Sequence, residues 1–77
     1  MSHLPPLPYA TPGRYRHYKG NEYELIGLVR HSETLEPMVL YRPVKGDGTQ
    51  WVRPYQHFFS QVLVDGQWQP RFERVGL

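Results

Sequence analysis

The chain has no cysteine, which excludes disulfide staples and thiolate metal sites. No apolar run approaches the roughly 20 residues that cross a bilayer, and no charged-then-apolar leader opens the chain. The expectation is therefore a protein of the reducing cytoplasm with no membrane partner. Charge of neither sign dominates: nine Lys/Arg face seven Asp/Glu, and a net +2 does not by itself imply nucleic acid. His17, His31 and His57 are too widely spaced for any short zinc or HExxH pattern, so neither a metal nor another cofactor is expected. Lys45-Gly46-Asp47-Gly48-Thr49 is rich in glycine but lacks both the spacing of a P-loop and a helix after it.

What is there must do the work of a core. In 77 residues, six Tyr, three Phe and two Trp offer the large apolar areas that a small domain needs to offset chain entropy. Residues 1–12 contain Pro5, Pro6, Pro8 and Pro12. Fixed φ angles and missing N–H donors exclude ordinary helix or central strand there, so a Pro-rich flexible arm precedes a small β-barrel domain over residues 13–77. Pro5-Pro6-Leu7-Pro8 also fits the PxxP pattern that docks on aromatic grooves, although a plain linker has the same composition.

Gly13 to Tyr18 sets Tyr15 and His17 against Arg14, Arg16 and Tyr18, the alternation of a half-buried strand, and Lys19-Gly20-Asn21 supplies a turn. In the longer strand Glu22 to His31, Tyr23, Leu25 and Val29 are assigned to one face and Ile26 and Leu28 to the other. Gly27 between them marks a bend or bulge. At the hinge that follows, Ser32 is read as the N-cap of a single helical turn, accepting from the amide near Leu35, and Pro37 ends it. Met38 to Val44 and Gln50 to Arg53 are strands. Pro54 to Phe59 is a short helical turn with Pro54 first and Phe58 or Phe59 plugging the core. Asp65-Gly66 joins Gln61–Val64 to Trp68–Val75 as a hairpin. Trp68 and Phe72 are expected on the inner face, with Pro70 requiring a bulge or an edge. The fold class is all-β: an SH3-like barrel or roll of five to six short strands with one or two single-turn helices. An OB-like barrel is disfavoured by the lack of a substantial helix.

Four blocks carry a family resemblance: Tyr15-Arg16-His17-Tyr18-Lys19-Gly20, Arg30-His31-Ser32-Glu33-Thr34, Tyr41-Arg42 and Trp51-Val52-Arg53-Pro54. In order and spacing they resemble the bacterial family called domain of unknown function 1653, from about Gly13 to Val75. The resemblance implies a compact SH3-like barrel in a short, stand-alone bacterial protein. It carries no activity, ligand or catalytic residue, and it does not extend to the Pro-rich arm.

For function, the Arg and aromatic residues weigh most. The candidate surface comprises Arg16, His17, Tyr18, Arg30, His31, Ser32, Glu33, Thr34, Tyr41, Arg42, Trp51 and Arg53. Guanidinium planes interleaved with rings suit single-stranded nucleic acid, and equally an extended peptide. The leading expectation is thus a non-enzymatic binding module. Tyr41 and Trp51 fit a ligand platform, yet in so small a domain they also fit the core. A hydrolase-like catalyst using His31 with Ser32 or Glu33 is the alternative. Neighbours on a strand point to opposite faces, so it needs help from elsewhere to converge, and no glycine-flanked serine elbow is present. The plainer reading of Ser32, Glu33 and Glu36 is capping and solvation. A structural or assembly subunit joined through an uncovered edge strand is the third reading.

Overall fold

A computed structural model describes residues 4–76; the first three residues of the arm and Leu77 lie outside the described residues. The elements are β1 (Gly13–His17), β2 (Glu22–Arg30), β3 (Pro37–Pro43), β4 (Trp51–Pro54), α1 (Tyr55–Phe58), β5 (Gln61–Val64), β6 (Gln67–Pro70) and β7 (Phe72–Gly76). The antiparallel strands form a five-stranded sheet in the order β4-β3-β2-β1-β7, and β5 pairs with β6 in a separate hairpin. The all-β expectation holds, with seven strands where five or six were counted. The extra one arises because the final run from Trp68 breaks at Arg71.

That break has a cause. Pro70 offers no N–H to a ladder, so the chain leaves the hairpin there. The Arg71 amide donates to the Ser60 carbonyl at 2.9 Å, while the Arg71 carbonyl accepts from the Tyr18 amide at 3.0 Å. The chain changes sheets at this residue. Phe72 consequently enters the core, while Trp68 stands 67% exposed, so the expected shared inner face for the two rings is corrected.

The bulge foreseen at Gly27 falls between Leu25 and Gly27, with Ile26 unpaired. One extra residue inverts the alternation beyond it. Leu25 pairs with Tyr41 and Leu28 with Val39, so Leu28, not Val29, continues the buried face. At the hinge, residues 32–34 form a turn and no helix. Its acceptor is not Ser32: His31 Nδ1 receives the amides of Glu33 (3.1 Å) and Thr34 (3.3 Å), and the His31 carbonyl receives that of Leu35. The longer imidazole, one residue earlier, reaches the donors first. The hairpin turn is as expected, with Asp65 (φ 51°) and Gly66 (φ 77°) both left-handed, as a type I′ turn demands.

The sheet's inner face and α1 enclose Tyr15, Leu25, Val39, Tyr41, Phe58 and Phe72. Pro54 precedes the helix as its cap and does not occupy the first helical position. Phe58 is the plug: it is fully buried, and its ring stacks on Phe72 with centroids 4.0 Å apart and planes 1° from parallel. Edge-on contacts from Tyr15 and Tyr41 at 5.6 and 5.4 Å complete the packing around it. Residues 4–12 run without helix or strand beside this core. Arg30 donates to the Pro5 carbonyl, the Tyr55 hydroxyl to that of Tyr9 (3.2 Å), and the Tyr15 hydroxyl to that of Thr11 (2.7 Å).

Candidate ligand-binding surface

Cross-strand partners project to the same side of a sheet. The pairs Tyr15–Tyr23, Leu25–Tyr41, His17–Phe72, Val39–Arg53 and Tyr41–Trp51 therefore place His17, Tyr41, Trp51 and Arg53 on the inner face with the core. Arg53 sits where that face meets solvent. Its guanidinium carbon lies 5.3 Å from the Phe72 centroid and 5.9 Å from that of Tyr41. Its Nε donates to the Tyr41 hydroxyl at 3.2 Å, and its Nη1 lies 2.9 Å from His57 Nδ1, four residues on. Tyr41 is thus a core residue whose hydroxyl reaches the site, while Trp51 is 56% exposed at its margin.

On the other side of Phe72, the His17 ring meets it edge-on at 4.9 Å and carries the Tyr18 ring at 4.5 Å. Lys19 lies 5.8 Å above Tyr18, and its amide donates to His17 Nδ1 at 3.2 Å. Arg71 completes the group, its Nε donating to Ser60 Oγ at 3.0 Å. Every charged neighbour that moves the two imidazoles is a cation. Burial, then Arg53, Lys19 and Arg71, push His17 below its ordinary range. Burial, then Arg71 and Arg53, do the same to His57. Both rings are thus biased toward the neutral form, and the guanidiniums have phenol, imidazole, hydroxyl and ring faces for partners. Such a group attracts an anion.

The other expected site residues lie elsewhere. Arg16 and Arg42 project from the outer face and pair with carboxylates: Arg16 with Glu22 at 3.5 Å and Arg42 with Glu24 at 2.6 Å. Arg30, His31, Ser32, Glu33 and Thr34 cluster at the β2–β3 turn. There His31 Nδ1 is occupied by backbone amides, and Ser32 and Glu33 are exposed. The structure therefore brings His17, Tyr18, Tyr41, Trp51 and Arg53 together and distributes the remaining seven between two other regions. It adds His57, Arg71, Phe72 and Tyr23, the last 5.7 Å from Phe72. The spacing of Arg53 and His57 across a short helical turn was a visible signal for one of these. Nothing local marks Arg71. Among the described residues, no three His, Asp or Glu are placed to hold a metal ion, and no described helix is long and apolar enough to cross a membrane.

A family model described as protein of unknown function DUF1653 matches residues 13–74. The chain belongs to the DUF1653 family. A crystal structure of a DUF1653 protein from Bordetella bronchiseptica is similar to it, with a TM-score of 0.79 and 36% sequence identity over 87% of this chain and 88% of that one. No curated protein matches. The DUF1653 match begins at the first strand and includes the whole Arg53–Phe72 group.

Proposed function

We propose that this DUF1653 chain is a non-enzymatic binding module, and that its ligand is single-stranded nucleic acid held on the inner-face site. The observation that carries the reading is Arg53: a guanidinium over the rings of Phe72 and Tyr41, with the neighbouring imidazoles pushed toward their neutral form by burial and by the cations around them, Arg71 among these. A phosphate satisfies the charge. Tyr18, with Lys19 over its ring, and the exposed Trp51, paired with Tyr41 across the strands, offer the ring faces on which bases stack, a mode tolerant of sequence. Beside Tyr23 a cleft of about 520 Å³, bordered by Gly20, Asn21, Pro43 and Lys45, gives an extended strand a continuation. Such a ligand sets the module in the cytoplasm, and the Bordetella relative favours a bacterial cell.

The test is an NMR titration with a mixed-sequence single-stranded oligonucleotide of about ten nucleotides. The amides of His17, Arg53, His57 and Phe72 should move, and those of Arg16 and Arg42 should not. If Arg53, Arg71 and Lys19 each neutralise one phosphate, log K should fall with log salt at a slope of about −2, roughly a fifteenfold loss between 50 and 200 mM. Still amides, or binding indifferent to salt, would overturn the reading. So would an acidic peptide that binds the same site more tightly than the oligonucleotide, because stacking would then contribute nothing.

A further inference from the structure

We infer that the groove formed by Arg30, Pro37, Pro54 and Tyr55 is a docking site for extended proline-rich peptides, and that the chain's own arm is its resting occupant. This goes beyond the nucleic-acid reading; the groove adjoins that site at His57, which borders both. The arm is gripped by its backbone: Arg30 takes the Pro5 carbonyl and the Tyr55 hydroxyl takes the Tyr9 carbonyl. Pro8, Pro37, Pro54 and Tyr55 line one cleft of about 530 Å³. Of the arm's larger side chains, Tyr9 stands mostly in water at 79% exposed, while Leu4 and Leu7 are about half covered.

Recognition through carbonyls and one proline reads the extended proline-rich conformation more than the identity of the other side chains. A chain rich in proline already holds that conformation, so it loses little entropy on docking, and its carbonyls are unpaired and available. The grip also has two parts. Ala10 packs against the core and Thr11 is held by Tyr15, which fixes the base of the arm, whereas the hydrogen bonds of residues 4–9 to the domain are those of Pro5 with Arg30 and Tyr9 with Tyr55 among the described residues. Residues 4–9 therefore form a releasable strap. Because the strap is tethered directly beside the groove, its effective concentration is on the order of millimolar or higher, and a peptide in trans competes poorly until the strap is loosened.

The test uses the full chain carrying Pro5→Gly, Pro6→Gly and Pro8→Gly, which leaves the groove intact and frees the strap's φ angles. The probe is a blocked peptide of residues 4–9. It should bind this variant about tenfold or more tightly than the unaltered chain, moving the amides of Arg30 and Tyr55. Adding Tyr55→Phe should weaken that binding, and a peptide with its prolines replaced by alanine should not bind. Equal affinity for variant and unaltered chain, no movement at Arg30 and Tyr55, or equal binding of the alanine peptide overturns the inference. A second measurement on the unaltered chain guards against a variant that fails to fold. ¹⁵N relaxation at Leu7 and Tyr9 should be that of ordered backbone, and coil-like values would also overturn it. The oligonucleotide titration is told apart by its movements at His17 and Phe72, which do not line this cleft, whereas His57 borders both sites.

Discussion

On the outer face of the five-stranded sheet, Arg14 and Arg16 share Glu22, and Arg42 pairs with Glu24. On the inner face Arg53 and Arg71 meet phenol, imidazole, hydroxyl and aromatic surface. The residue type is the same on both sides, and its surroundings decide its use. Outside, exposed guanidiniums are neutralised by neighbours that the strand register supplies, and solvent screens what remains. Inside, the guanidinium lies at the edge of an aromatic core, partly sheltered and with no carboxylate partner among the described residues, so on the proposed reading an incoming anion gains more there than at any outer arginine.

The comparison breaks most completely if the inner face loses its floor. Phe72→Ala removes a buried ring stacked on Phe58 and should cost about 3–5 kcal/mol by denaturant unfolding. In so small a domain much of the total stability goes with it. Phe72→Leu keeps most of the apolar volume and should leave a folded chain that lacks the ring beneath Arg53. A sharper version sets arginine against arginine: Arg53→Ala should weaken oligonucleotide binding about tenfold, or roughly 1.4 kcal/mol, and Arg42→Ala less than about twofold, as isothermal titration would read. Equal losses would erase the distinction between the faces.

A smaller effect is expected with pH. His17 and His57 have folded-state pKa values below the ordinary 6.5, so below that pH the unfolded chain binds more protons than the folded one. Stability should therefore fall as pH drops from about 6.5 toward the folded values. Proton titration of the ring C–H signals should show both midpoints low, and Arg53→Ala should raise both, with burial and Arg71 still holding the two rings down. Bound oligonucleotide should raise them further. The least effect belongs to the outer face: Glu24→Ala breaks an ion pair whose partners are about half exposed, and should change stability by roughly 0–1 kcal/mol.

Legibility from the residues followed the range of the forces involved. Asp65-Gly66 announced its turn because both positive φ angles are intrinsic to the pair. Gly27 announced a bulge, but which side chains it turned inward depended on where β3 took up its register, and Leu28 replaced Val29 accordingly. The Ser32 cap was displaced by His31, whose ring takes the amides of Glu33 and Thr34 and whose carbonyl takes that of Leu35. Arg53 and Tyr41 were visible as candidates. That they share a site while Arg16 and Arg42 do not rests on pairings between strands distant in the chain.

What the amino-acid order determined by itself was the set of local elements: strands by alternation, turns by glycine and asparagine, and a proline-rich start unable to join a ladder. Tertiary structure alone decided the inner company of Arg53. Arg71 arrives there because Pro70 sends the chain from one sheet to the other, and His17 because β1 is laid beside β7. Local preference acts within a few bonds, whereas charge and packing are settled only when distant strands come to rest side by side.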